Sequence, residues 1–97
     1  MSSNPEYAFS SDARTAGLVG GVSIQITKTK TKEHFLSPVA VGSSRLGHIK
    51  KDLELDRPLY FDEWGDQGVT SPLKRVFVKE DKIYIETMTS IYKVAFL

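Results

Sequence analysis

The chain has 97 residues, no cysteine and a formal net charge of +1 at neutral pH. This length is that of a single domain, and the absence of cysteine excludes disulfides and cysteine-based metal sites. The near-neutral charge argues against a domain that grips nucleic acid through bulk charge. No apolar run approaches the roughly eighteen residues of a membrane-spanning helix, and the first residues lack the pattern of a secretory signal. We therefore expect a cytoplasmic protein without a membrane partner.

The first 21 residues are rich in serine, alanine and glycine and show little periodicity. We predict a flexible N-terminal arm over residues 1–21 and a single β domain over residues 22–97. Within the arm, Ser11 is positioned to cap one helical turn that Gly17 would end. The two aromatic residues of the arm, Tyr7 and Phe9, are expected to dock either on the domain or on a partner.

The segment that follows has a period of two, which predicts a strand from Val22 to Lys32. Alternate positions carry three aliphatic residues and then three lysines: Val22, Ile24, Ile26, Lys28, Lys30 and Lys32. We interpret the first half as covering a core and the second half as extending into solvent. The three lysines, with Arg75, form a predicted basic surface. Such a surface serves either an acidic partner or phosphate, or it discourages aggregation along a strand edge.

The middle of the chain predicts three more strands, at residues 35–41, 46–55 and 59–61, separated by a Gly-Ser-Ser loop and by a turn before Pro58.

Residues 62–68 then form a predicted loop with three acids and the only tryptophan. Its carboxylates suit Ca²⁺ or Mg²⁺, but their spacing does not match the calcium-binding loop, so we predict neither a metal nor another cofactor. Tryptophan is enriched at interface hot spots, and acids beside it favour a basic partner. The loop is therefore a predicted partner-binding surface, made of Trp64, Asp62, Glu63 and Asp66. The alternative is a solvated loop whose tryptophan packs on the domain.

The C-terminal part predicts a hairpin with its turn at Glu80-Asp81, followed by another strand after a turn near Thr89-Ser90. Phe77 and Tyr84 should pair across the hairpin on one face, and the other face should be buried. The predicted core consists of the inward positions of all the strands: Val22, Ile24, Ile26, Val39, Val41, Ile49, Leu53, Leu55, Leu59, Phe61, Val76, Val78, Ile83, Ile85, Tyr92, Val94 and Phe96.

One pattern in this region is similar to known sequences. Thr70-Ser71-Pro72 and a hairpin are followed by a Thr-x-x-Ser-x-Tyr-x-apolar run that begins at Thr87 and contains Tyr92. Residues 46–97 thereby resemble short uncharacterised bacterial and phage proteins. The resemblance implies a small all-β protein and implies no activity.

Together these elements predict an all-β fold, either a small barrel or a strongly twisted, rolled sheet of about six or seven short strands.

We predict no catalytic residue. The chain contains the three residue types of a hydrolytic triad, at Ser71, His48 and Asp52, but the sequence around the serine has no activating turn. We therefore expect a non-catalytic protein-binding, adaptor or regulatory module rather than an enzyme. The alternative is a single-stranded nucleic-acid-binding barrel that uses Phe77 and Tyr84 with the basic surface, and a small hydrolase comes third. A lysine-rich strand with a free edge would also permit a homodimer.

Overall fold

The computed structural model describes residues 12–33, 35, 40–63 and 66–97, without the side chains of residues 61–63 and 66–69. The described residues form six strands and a single helical turn at residues 12–15. The strands are β1 (Ser23–Thr31), β2 (Ser44–Ile49), β3 (Pro58–Glu63), β4 (Asp66–Lys79), β5 (Lys82–Thr87) and β6 (Ser90–Phe96). The predicted all-β class is confirmed.

Each strand pairs antiparallel with the next one along the chain, and β1 also pairs with β6. The sheet therefore curls into a barrel. The seam between β2 and β3 is short, with the register pairs His48↔Asp62 and Ile49↔Phe61. The other seams are longer, and closure of the sheet satisfies backbone groups that would otherwise line two free edges.

The longest strand, β4, belongs to two hairpins: its first half pairs with β3 and its second half with β5. The register shifts once in each ladder, between Pro58 and Tyr60 and between Leu73 and Arg75. Such bulges bend a strand and increase its twist, which lets one strand turn from one neighbour to the other. At the first bulge, the Leu59 N–H donates to the Thr70 hydroxyl at 3.0 Å.

Several predicted element bounds change in the structure. The predicted loop at residues 62–68 is mostly strand, because the β3–β4 ladder continues through Asp62↔Gln67 to Glu63↔Asp66. The predicted strand at residues 35–41 is not seen in its described part, since Val41 and Gly42 form a turn; residues 36–39 lie outside the described residues. The predicted strand at residues 46–55 ends at Ile49, and the chain then bends towards β3.

The barrel interior is filled by aliphatic side chains, most of them as predicted. The buried apolar residues are Ala13, Leu18, Ile24, Ile26, Ile49, Leu53, Leu59, Leu73, Val76, Ile85 and Val94. Three predicted core residues are instead exposed: Val41 lies in the turn before β2, and Val78 and Phe96 lie near the ends of their strands. Val39 and the side chain of Phe61 lie outside the description.

The chain already packs on the barrel before residue 22. Gly17 has a φ of +85° and ends the helical turn, while Leu18 N–H donates to Ala13 O at 2.9 Å and Gly17 N–H to Arg14 O at 3.0 Å. These bonds are those of a Schellman motif. Ala13 and Leu18 are part of the core, and Gly20 N–H donates to Asp52 Oδ1 at 2.8 Å. The packed part therefore extends into the predicted arm. Tyr7, Phe9 and Ser11 lie outside the described residues.

Four hydroxyl side chains, which we call the hydroxyl cluster, join β4 to the turn between β5 and β6. They are Ser71, Thr87, Thr89 and Ser90. The Ser71 hydroxyl donates to Thr87 Oγ1 at 2.7 Å and lies 3.0 Å from Thr89 Oγ1. Thr87 Oγ1 also accepts from Ser90 N–H and donates to Ser90 O, both at 3.1 Å. Buried polar groups are costly unless they are bonded, and these bonds hold the turn in place.

We expect Thr87→Val to lower the free energy of unfolding by about 1–3 kcal/mol, because valine keeps the shape but leaves the buried Ser90 N–H without its acceptor. Thr27→Val is the matched control, since Thr27 bonds Ser44 at an exposed site where water can take over. Its effect should stay within about 0.5 kcal/mol. Urea unfolding of both variants measures the difference, and equal stabilities would contradict a structural role for the cluster.

Candidate functional site

Lys28, part of the predicted basic surface, lies inside the barrel and is 1% exposed. It continues the inward positions of Ile24 and Ile26 along β1. Its backbone is paired on both sides, because Lys28 N–H donates to Ser43 O at 3.0 Å and Lys28 faces Tyr92 in the β1–β6 register. The prediction that Lys28 extends into solvent is wrong, since β1 is still paired with its neighbours at this position and the side chain is buried.

A bulge between Lys28 and Lys30 separates the two lysines that strict alternation places together. The Thr29 hydroxyl donates to Ile91 O at 3.1 Å within this bulge. Lys30 is exposed beyond it. The two lysines therefore occupy different environments, and only Lys30 of this pair is available to a partner.

Lys32 and Arg75 converge on one carboxylate. Lys32 Nζ lies 3.0 Å from Glu86 Oε2, and Arg75 Nη2 lies 3.5 Å from Glu86 Oε1. The Glu86 side chain is 23% exposed, whereas that of Arg75 is 61% exposed. The predicted basic surface of Lys28, Lys30, Lys32 and Arg75 is therefore divided between the interior, the solvent and a small ion-pair network.

The outer side of the β4–β5 hairpin carries the predicted aromatic pair. The rings of Phe77 and Tyr84 stack with centroids 5.2 Å apart and planes at 12°, which confirms the pairing. The Arg75 guanidinium lies over the Phe77 ring, 4.3 Å from its centroid. On the other flank, Lys93 of β6 is the register partner of Tyr84. The two stacked rings thus lie side by side on β4 and β5, with Arg75 over one ring and Lys93 next to the other on β6.

Two more lysines extend this surface to the hairpin end, where Lys79 and Lys82 are register partners. Like charges directly opposite each other destabilise a sheet. The turn residues Glu80 and Asp81, both at positive φ, place acids beside them. We call the whole surface the basic–aromatic face; its members are Arg75, Phe77, Lys79, Lys82, Tyr84 and Lys93.

Sequence reasoning missed Lys79, Lys82 and Lys93 as members of a surface. Alternation within the hairpin could have placed Lys79 and Lys82 beside Phe77 and Tyr84. Lys93 depends on the register between β5 and β6, which alternation alone does not provide.

Three of the four predicted partner-binding residues lie at the end of the β3–β4 ladder, which we call the hairpin tip. The backbone places Glu63 opposite Asp66 and Asp62 opposite Gln67. Trp64 lies outside the described residues, as do the side chains of Asp62, Glu63 and Asp66. Their role as a contact surface stays a prediction, now attached to a hairpin tip instead of a loop.

The side chains considered for hydrolysis have separate hydrogen bonds. Ser71 bonds the β5–β6 turn, whereas Asp52 accepts from Gly20 near the helical turn. His48 is exposed on β2. Within the part of the chain that the structure describes, no three His, Asp or Glu side chains are grouped as a metal site requires, and no helix is long and apolar enough to cross a membrane.

We expect Lys28→Ala to lower the free energy of unfolding by about 2–5 kcal/mol, as for other long buried side chains cut to alanine. Lys30→Ala, two residues away and exposed, is the matched control and should change stability by less than about 0.5 kcal/mol. Chemical denaturation of the two variants tests the burial. Similar midpoints would show that both lysines are solvated, as the sequence pattern predicts.

Comparison with known proteins does not assign this chain to a family. No family model matches the chain, and searches of curated proteins and of solved structures returned no significant match. The resemblance of residues 46–97 to short bacterial and phage proteins is therefore not supported by these comparisons.

Proposed function

We propose that this protein is a non-catalytic binding module, of an adaptor or regulatory kind, that recognises an acidic segment of another protein through the basic–aromatic face. The observation that carries the proposal is the stacked Phe77–Tyr84 pair with Arg75 on one flank and Lys93 on the other. All of these residues lie on strands β4, β5 and β6 of the barrel.

The composition of this face suits a protein partner. Tyrosine and arginine are enriched at interface hot spots, and half-buried rings lose little side-chain entropy when a partner covers them. Four cations contribute to the face, and three acids lie on the same hairpin: Glu86, which pairs with Arg75, and the turn residues Glu80 and Asp81. An acidic segment would therefore meet a local excess of positive charge without the strong overall charge of a nucleic-acid-binding domain.

The hairpin tip with Trp64, Asp62, Glu63 and Asp66 would serve as a second surface, for a basic segment. The two surfaces have opposite charge preferences, so variants of each can be tested separately.

Single-stranded nucleic-acid binding is the second candidate, because bases stack on aromatic rings that lie beside cations. Phe77 is poorly suited to this role, since its ring is already in contact with Tyr84 and Arg75. A base would have to displace the guanidinium that already lies over this ring. No observation favours the small hydrolase.

The edges of β1 are not free to form a homodimer by strand pairing. This strand pairs with β2 on one side and with β6 on the other. A dimer would therefore need a different surface from the lysine-rich strand.

The test is affinity capture from cell lysate, with and without nuclease, using the double variant Lys79→Glu/Lys93→Glu. This variant keeps Arg75, Glu86 and the aromatic pair. The matched control is Lys51→Glu/Arg57→Glu, which makes the same change of charge outside the face. We expect the unmodified protein to capture partners even after nuclease treatment. The amount of partner captured should fall at least tenfold with the first variant and stay unchanged with the control.

Other outcomes separate the alternatives. Capture that disappears with nuclease and falls steeply with salt would replace the proposal by nucleic-acid binding. Partners lost with Trp64→Ala but retained by the lysine variant would move the contact to the hairpin tip.

A further inference from the structure

The second half of β4 has a strand neighbour on one side only. Its residues from Arg75 to Lys79 pair with β5. On the other side, the ladder with β3 ends at Pro72, and Leu73 exchanges the next backbone bonds with the turn before β3. Within the described residues, no strand pairs with β4 on this side beyond Leu73. This stretch is therefore a sheet edge, although the strand order closes into a barrel.

The backbone groups of Val76 and Val78 point to this edge. Lys79 and Lys82 flank the two-residue turn, and the pair that closes such a turn is hydrogen-bonded. Bonded and non-bonded pairs alternate along an antiparallel ladder, so Phe77 bonds β5 whereas Val76 and Val78 do not. The N–H and C=O groups of the two valines face away from β5. An edge of this kind is a template on which another chain can add a strand.

A groove of about 310 Å³ lies beside this edge, between β4 and the helical turn. One wall is the run Val76 to Val78, and the other contains Asp12, Thr15 and Ala16. Val78 is 64% exposed, whereas Val76, which shares the inward side of β4 with it, is 6% exposed. The groove therefore offers apolar contact in addition to the backbone groups of the edge.

The charges beside the groove favour an acidic occupant over a second copy of the chain. Arg75 and Lys79 are exposed on the outward side of this edge, on either side of Phe77, and one acid, Asp12, lies on the far wall. A second copy that paired through the same edge would bring the cations of both edges together, and like charges on facing strands destabilise a sheet. Carboxylates at alternate positions of an added strand would instead lie beside the two cations.

We infer that the partner binds as an extended acidic segment that adds a strand to β4 at Val76 and Val78. Its backbone bonds the N–H and C=O groups of these two residues. Its inward side chains are apolar and contact Val78 and Ala16, and its outward side chains are acidic and lie beside Arg75 and Lys79. The inference rests on the proposed function for the charge of the partner and adds the mode of binding.

The probe is the peptide Glu-Val-Glu-Val-Glu-Val-Glu with blocked ends, titrated into the isotope-labelled full chain and followed by NMR. The matched control peptide carries N-methyl groups on its valines, which keep every side chain and charge but remove the N–H groups that would bond β4. We expect the control peptide to bind at least tenfold more weakly. Equal binding of the two peptides, or binding of neither, would overturn the inference.

Amide hydrogen exchange locates the contact. In the free protein, the Val78 amide should exchange at least tenfold faster than the Phe77 amide, because only Phe77 bonds β5. Saturation with the first peptide should slow exchange at Val78 at least fivefold. Slow exchange at Val78 in the free, dilute protein would overturn the inference and assign the edge to the chain itself. Slow exchange that develops only as the protein concentration rises would assign the edge to a second copy.

Variants separate this inference from the proposed function. Val78→Pro removes the edge donor, and Val78→Thr is the matched control because it keeps that donor and the β-branched shape. We expect the first to weaken binding of the unmethylated peptide at least tenfold and the second less than threefold, with thermal midpoints checking that both are folded. Loss of binding with Lys79→Glu/Lys93→Glu but not with Val78→Pro would keep the basic–aromatic face as the binding surface and reject strand addition. If Val78→Pro does not fold, the two peptides still decide between strand addition and side-chain contact alone.

Discussion

The ladder between β1 and β6 is the interaction on which the rest of the structure depends. It runs from Ile24↔Phe96 to Thr31↔Ser90 and joins the first strand to the last. Without it, both strands would present free edges, and the inward residues Ile26 and Val94 would lose the layer that covers them. Because the ladder is between distant parts of the chain, its formation costs loop-closure entropy that only the assembled core repays.

Closure also explains why the interior can hold polar groups. The core changes along the barrel from aliphatic side chains to Lys28, Thr87 and Ser90, all of them at most 1% exposed. In the described part of the chain, no buried side-chain nitrogen or oxygen is left without a hydrogen-bond partner. Thr87 and Ser90 are bonded to each other in the turn between β5 and β6, and Thr87 is also bonded to Ser71 of β4.

The same pairing arranges the candidate binding surface. Arg75, Tyr84 and Lys93 come from three strands and meet only because β5 lies between β4 and β6. The ion pairs of Glu86 with Lys32 and Arg75 connect β5 to the residue after β1 and to β4. Exposed ion pairs contribute little stability, and Arg75 has a second contact, since its guanidinium also lies over the Phe77 ring. A partner would meet a preformed surface.

The alternation of residue types within single segments was enough to predict several strands, one turn and much of the core. Alternation identified β1 and the β4–β5 hairpin, placed Phe77 beside Tyr84, and located the turn at Glu80-Asp81, since these features depend on neighbours in sequence. Most of the aliphatic core followed from the same rule. Tertiary structure decided the rest. Bulges reversed the facing of Lys30 relative to Lys28, and no periodicity predicts where an extra residue enters a ladder. Leu18 and Leu73 became core residues because distant segments cover them. The basic–aromatic face depends on which strands are neighbours and in which register, and those are properties of the closed barrel rather than of any one segment.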